Sequence, residues 1–390
     1  MNLEQFRGTT SGRVIKSGQG DAAYYASIPN PLPPQLPFDA ELVRTLSDAD
    51  RALGELAGLA RMLPNPQLLI DPFLRREAVL SSRIEGTQAD IKDVYAYEAQ
   101  LPLLDSGSKS LDSDVHEVSN YVHALRYGLK RIETLPVSLR LIRELHEKLL
   151  KGVRGEYSTP GEFRHTQNWI GPPGCTLNEA SYVPPPVQFM EQALSDLEKY
   201  LHGDDTYPPL IRLALIHYQF EAIHPFIDGN GRIGRLLISL LFVVWKLLPL
   251  SFLYLSAWFE QRRQDYYDLL LRVSQTGAWR EWVVFFLRGV VQQAGDACAR
   301  ARQLEDLRSG WRRSLMSKPG SVQPLKLMEH LFQTPILTVR SAENILGVTY
   351  VTAQKHVKRL VDEQILRPAG NTPSGRLYIA GKILQVAESE

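Results

Sequence analysis

Four ionisable side chains, His224, Asp228, Arg232 and Arg235, fall within twelve residues in the stretch EAIHPFIDGNGRIGR, residues 221–235. The imidazole is the side chain whose ordinary pKa suits a general base near neutral pH. Asp228 is a hard oxygen ligand of the kind Mg²⁺ takes when it also touches phosphate. Gly229, Asn230 and Gly231 permit positive φ, so successive N–H groups can turn into one concavity. Arg232 and Arg235 lie three apart on a helix face, each offering a fork matched to phosphate oxygens. A base, a metal ligand, an anion nest and two guanidinium groups together suit a nucleoside polyphosphate. The bland alternative is a capped turn with His224 satisfied in the core and the arginines exposed. Phe226 reads as a core residue.

Such a loop needs rigid flanks, and apolar runs stand on both sides of it. Helices are expected over Pro208 to Ile223 and from Gly231, with Pro225 stopping the first. Further helices are expected from Asp39, from Asp71-Pro72 (Asp capping, Pro in the first turn), over Val115 to Arg131, Ser138 to Leu149 and Val187 to Leu201, and from Ala257 and Trp279. LPNP, residues 63–66, is expected to end the first of these, and Gly86 to cap the second. Residues 1–38 read as an extended arm, because IPNPLPPQLPF holds five prolines. The Pro-, Gly- and Asn-rich stretch from Ser158 to Pro186 reads as a β-hairpin or flap. The fold class expected is mainly α.

HPFIDGNGRIGR resembles the Fic motif at every defined position. EVSNYVHAL, RGEYSTPGEFRHTQNWIG and ASYVPPP before it, and DYYDLLLRV and WREWVVFFLRGV after it, are similar to the flanking Fic segments, so the resemblance covers roughly residues 30 to 300. It implies a Fic-fold helical core that transfers AMP from ATP to a hydroxyl of a protein. His224 would deprotonate that hydroxyl, and Asp228 would hold Mg²⁺ on the phosphates. Asn230, with the N–H groups around Gly229 and Gly231, would receive the α-phosphate. Arg232 and Arg235 would bind the outer phosphates, and Ile233 and Gly234 would complete the nucleotide-binding segment. Tyr266 and Tyr267 fall where the family lines its adenine pocket, Tyr267 being the one assigned to it.

SSRIEGT then gains meaning. Ser81, Glu85 and Gly86 fit the family's inhibitory pattern, placed ahead of the catalytic core. By resemblance Glu85 would pair with Arg235 where the γ-phosphate belongs, leaving bound ATP out of line. The flap, with Trp169 and Ile170, would dock a target segment as an added strand, unless those side chains pack beneath it. Cys175 is given no catalytic role. The resemblance also implies a homodimer.

Composition bounds the rest. In 390 residues, 44% hydrophobic and 22% charged with a formal net charge of +1, bulk electrostatics names no nucleic-acid or acidic partner. Two cysteines make no disulfide framework and suit a reducing compartment. The first twenty residues lack the apolar core of a secretory signal, and the apolar run Leu236 to Trp245 is half a membrane span, so a cytoplasmic location is expected. From Pro324 three short helices and two strands around a Gly/Asn/Pro/Ser turn are the parts of a winged helix-turn-helix. Lys355, His356 and Arg359 are placed on its recognition helix, with Arg367 and Arg376 beside the wing. From 324 to 390, eight Lys/Arg against six Asp/Glu leave DNA contact and protein contact both open. The division expected is 1–110 (arm and inhibitory helix), 111–310 (catalytic) and 320–390 (winged helix). The function expected is an autoinhibited protein adenylyltransferase. Removal of AMP and nucleotide-sensing transcriptional regulation are the alternatives.

Overall fold

The computed structural model describes residues 1–63, 67–98, 109–153, 158–204, 206–372 and 375–388. The chain opens with strands β1 (Gly12–Ser17) and β2 (Tyr24–Pro29), then helices α1 (Ala40–Met62), α2 (Gln67–Ile84), α3 (Ile91–Glu98), α4 (Lys109–Arg131) and α5 (Leu139–Leu149). After the flap region come α6 (Val187–His202), α7 (Pro209–Ile223), α8 (Asn230–Val244), α9 (Ser256–Gln261), α10 (Arg263–Thr276) and α11 (Trp279–Met316). The C-terminal part is α12 (Val322–Leu331), β3 (Ile336–Thr338), α13 (Val339–Leu346), α14 (Tyr350–Asp362), β4 (Arg367–Thr372), β5 (Gly375–Ile379) and α15 (Gly381–Glu388). The described chain is predominantly helical, as expected. No helix among the described residues is long and apolar enough to cross a membrane.

Two compact units result. The first comprises residues 1–54, 123–248 and 255–293. Its centre is α7, apolar on every side and buried along nearly its whole length, as a core helix must be. It packs against α6, α8, α10 and β2, and Trp282 of α11 fixes it by donating its indole N–H to Ala214 O at 2.8 Å. The second unit comprises residues 55–122, 249–254 and 294–390. There Arg75 of α2 is buried under Tyr95, 4.4 Å from its ring, and pairs with Glu98 of α3 at 2.5 Å. Glu77 of α2 accepts a hydrogen bond from Tyr121 of α4 at 3.1 Å.

Three expectations are corrected. The N-terminal segment is not merely an extended arm: β1 and β2 pair antiparallel from Gly12↔Pro29 to Ser17↔Tyr24. β2 is buried from Ala26 through Pro29, so it lacks the alternation that marks a strand in sequence. Helix α2 begins at Gln67, and Pro72 lies inside it. One lost backbone bond near a helix start is outweighed by burial of Phe73, packed edge-on against Phe252, and of Leu74. The flap is not a two-stranded hairpin but one antiparallel bridge, Ile170↔Tyr182. Prolines 172, 173, 184, 185 and 186 remove the N–H donors that a longer ladder needs. The helix end at Leu63–Pro66, the start of the RGEY segment and the turn at Pro373–Ser374 lie wholly or partly outside the described residues.

In the second unit the strand order is β3-β5-β4, all antiparallel, and β3 was missed in sequence because it is only three residues long. Arg359 does not face outward. Its guanidinium donates to the carbonyls of Leu315, Lys318, Pro319 and Gly320 and so caps the end of α11, where a cation is favoured. Lys355 is exposed and His356 half-buried.

Candidate functional site

The loop from His224 to Gly229 joins α7 to α8, and its backbone is held on all sides. His224 ends α7 in the left-handed conformation, φ 49° and ψ 61°, which costs a non-glycine residue about 1–2 kcal/mol. Its carbonyl accepts from Arg164 Nε at 3.0 Å and Asn168 Nδ2 at 3.1 Å. The Arg164 amide donates to Pro225 O at 2.9 Å. Asn168 Nδ2 also donates to Phe226 O at 2.8 Å. The Phe226 ring is fully buried, which pins the loop to the core and leaves His224 half-buried at its edge. His224 Nδ1 lies 3.2 Å from Glu221 O. A carbonyl only accepts, so Nδ1 carries the hydrogen and Nε2 is the basic nitrogen.

Gly229 caps α8 with φ 80°, a left-handed conformation that favours glycine. Its amide donates to Asp228 Oδ1 at 2.6 Å, and the same oxygen is 3.5 Å from Arg232 Nη2. Helix geometry leaves the amides of Asn230 and Gly231 without intrahelical acceptors, at the positive end of the α8 dipole. Arg232 and Arg235 are 3% and 2% exposed, which removes the reading of them as surface residues. Among the described residues no three His, Cys, Asp or Glu side chains gather to hold a metal. The site instead offers one half-exposed carboxylate beside an anion-binding helix end, which fits Mg²⁺ arriving with a phosphate.

Three residues expected in the nucleotide-binding segment are engaged within the protein. The Asn230 carboxamide is engaged with Phe226, accepting from its N–H and donating to its O, both at 2.8 Å. It braces the loop. Ile233 is in the core and its N–H bonds Gly229 O at 3.0 Å. Gly234 faces α7: a Cβ there would lie 2.3 Å from Glu221 Oε1 and 3.3 Å from the His217 ring. Tyr266 is buried in the aromatic cluster with His217, Phe259 and Trp282, whereas Tyr267 is 37% exposed and so accessible to a base. Trp169 and Ile170 are 43% and 39% exposed, so neither packs beneath the flap. In the second unit Ser81 is fully buried, Glu85 is exposed just beyond the end of α2, and Gly86 has φ 103°.

Sequence reasoning missed Arg164, Asn168 and His146. The buried His146 contacts the loop at Asp228 O, and burial pushes its pKa down to about 4. Burial likewise holds Arg164 at about 10, still a cation. None of the three carries a local signal beyond its place in an apolar or turn-rich segment.

Residues 43–130 match the family model described as Fic/DOC family N-terminal, and residues 136–242 match the one described as Fic/DOC family, together half of the chain. The chain belongs to the Fic/DOC family. It is similar to the protein adenylyltransferase Fic of Drosophila grimshawi, 31% identical over 180 residues that cover 45% of this chain and 33% of the relative. The corresponding Drosophila melanogaster protein is 28% identical over the same length, with the same coverage. The chain thus spans about a third of the length of these curated relatives. A Fic family protein from Desulfovibrio desulfuricans G20 has a similar fold, with TM-score 0.57, 20% identity, and coverage of 90% of this chain and 99% of that one. A Fic domain containing signaling protein from Bacteroides thetaiotaomicron is also similar, with TM-score 0.52, 17% identity, and coverage of 65% and 95%.

The core behind the Fic loop predicts a pH response. His217 is buried, 2.8 Å from Tyr266 Oη, and its pKa is pushed down to about 3, by burial first and the Arg235 charge second. The unfolded chain therefore binds a proton that the fold excludes between about pH 6.5 and 3. Stability should fall as pH falls through that window, by up to ~1.4 kcal/mol per unit for this group. Thermal midpoints measured from pH 6.5 to 4 should show a shallower slope in His217→Phe than in wild type, while an unchanged slope would contradict the assignment.

Proposed function

We propose that the chain is a protein adenylyltransferase, transferring AMP from ATP to a Ser, Thr or Tyr hydroxyl of a target protein or of itself. The observation that carries this reading is the pairing of an oriented base with an anion site. His224 presents Nε2 at the end of α7, and six residues later α8 begins, with its N-terminal amides and buried arginines. Pure nucleotide sensing needs the second but not the first. The names of the Drosophila relatives support the same reading.

In it, His224 takes the proton of the attacking hydroxyl. The amides of α8 and the guanidinium groups of Arg232 and Arg235 receive the phosphates as negative charge moves towards departing pyrophosphate. Asp228 would hold Mg²⁺, which neutralises phosphate charge when bound. Tyr267 faces the adenine, and the flap with Trp169 and Ile170 receives the target. Glu85 restrains the site by competing with the γ-phosphate for Arg235. We read the C-terminal helices and three-stranded sheet as a winged helix that makes DNA or protein contact, and a second copy of the chain as the partner in a homodimer.

Intact-mass measurement of Glu85→Gly with Mg-ATP tests the transferred group: a gain of one AMP supports the reading, and a gain of phosphate or none defeats it. Asp228→Asn keeps the acceptor for Gly229 N–H but removes the charge. ATP binding by calorimetry should weaken at least ~10-fold with Mg²⁺ present and change little in chelator. Equal affinities for both proteins in Mg²⁺ would take Asp228 out of the site.

A further inference from the structure

Helix α5 is strongly amphipathic, with Leu141, Ile142, Leu145 and Leu149 buried, and an apolar residue would be expected at 146. His146 stands there instead, fully buried, with both ring nitrogens bonded to backbone. The Gly161 amide donates to Nδ1 at 2.9 Å, and Nε2 lies 3.0 Å from Asp228 O. An amide N–H only donates and a carbonyl only accepts, so the pair of bonds fixes the neutral ring with its hydrogen on Nε2. The ring lies flat on Phe226, centroids 3.7 Å apart and planes 9° apart. It also floors Gly229, where a Cβ would sit 3.5 Å from Nε2.

The bond to Asp228 O has a consequence one atom away. In a trans peptide the C=O and N–H point in opposite directions. Drawing the 228–229 carbonyl towards α5 turns the Gly229 N–H the other way, onto the Asp228 carboxylate at 2.6 Å. The same ring thereby sets the direction of the peptide plane and the side-chain conformer of Asp228. On its other side it holds Gly161, whose carbonyl is held in turn by Arg143 Nε of α5 at 2.7 Å. Three residues further on, Arg164 holds the carbonyl of His224.

We infer that His146 is a positioning residue of the transfer reaction, orienting the 228–229 peptide and with it the Asp228 carboxylate, and tying the loop to the Gly161 segment. This rests on the AMP-transfer reading for its kinetic effect but not for its structural one. A loop displaced by about 1 Å loses on the order of 100-fold in rate.

The test compares His146→Phe, which keeps the stack on Phe226 and loses both hydrogen bonds, with His146→Gln, which restores a donor near Nε2. Both are made in Glu85→Gly and assayed for AMP transfer. The Phe variant should lose ~30- to 100-fold in kcat with a raised KM for ATP, and Gln should recover at least ~10-fold of that loss. Amide exchange over residues 225–233 should quicken ~10-fold in Phe and return in Gln, with α6 unchanged in both. A merely structural residue would lower the thermal midpoint and loosen the whole unit without rescue by Gln. A Phe variant within threefold of its parent, or a Gln variant no faster than Phe, overturns the assignment. If the parent transfers no AMP, the functional reading has failed, and exchange alone decides: faster in Phe and restored in Gln supports the role, equal rates overturn it. Should His146→Phe not fold, His146→Asn replaces it, keeping only the acceptor for Gly161. Gln should then exceed Asn by ~10-fold in kcat, or in exchange protection over 225–233 if the parent is inactive, and equality overturns the proposal.

Discussion

His224→Ala is expected to lower AMP transfer by ~10²- to 10⁴-fold, the range that positioned general bases contribute. ATP affinity should change little, because the α8 amides and arginines proposed to receive the phosphates are left in place by the substitution. The prediction is specific to this residue for a geometric reason. The left-handed turn at 224 is held through its backbone, by Arg164 and Asn168 on the carbonyl and by the amide bond to Phe220 O at 3.0 Å. Alanine can be held by the same bonds, so the loop should persist while the base is lost. Single-turnover labelling with ATP in the Glu85→Gly background separates the two steps: a lowered rate constant at unchanged half-saturation is the expected result. Transfer at the parental rate would mean that some other group accepts the proton.

Glu85→Gly should raise transfer by ~100-fold, the rate that a misalignment of about 1 Å removes. Glu85 is exposed beyond the end of α2, and Arg235 is buried in the second turn of α8. If the carboxylate competes with the γ-phosphate for that guanidinium, its removal frees a bidentate ligand. Arg235→Ala should not mimic the effect, since it removes the inhibitory partner and the phosphate ligand together. The double variant should then behave as Arg235→Ala alone, a strongly non-additive cycle. Self-labelling of the four proteins at equal ATP occupancy provides the measurement. Equal labelling of wild type and Glu85→Gly would reduce SSRIEGT to an ordinary helix end.

The groups that make up the candidate site were legible because they are local. His224, Asp228, Gly229, Arg232 and Arg235 lie in one run, and the apolar segments on either side could only be buried helices, α7 and α8. The turn residues carried their own conformational requirement, and Gly229 meets it at φ 80°. What the run could not convey is how it is held. Nothing in the run shows that folding brings the Asn230 carboxamide onto the backbone of Phe226. Arg359 looks like an outward-facing cation, but folding turns it onto the carbonyls of Leu315 in the last turn of α11 and of Lys318, Pro319 and Gly320 just beyond it.

His146, Arg164 and Asn168 reach the loop from 82, 60 and 56 positions away. All three bind backbone carbonyls, and a carbonyl is the same group at every residue, so no residue type in the loop announces its partner. The twelve-residue run by itself therefore determined which groups are available for proton transfer and anion binding. Only the tertiary structure decided which carbonyls are anchored, hence which way the His224 ring and the Asp228 carboxylate face, because those orientations follow from long-range bonds to a backbone that sequence does not distinguish.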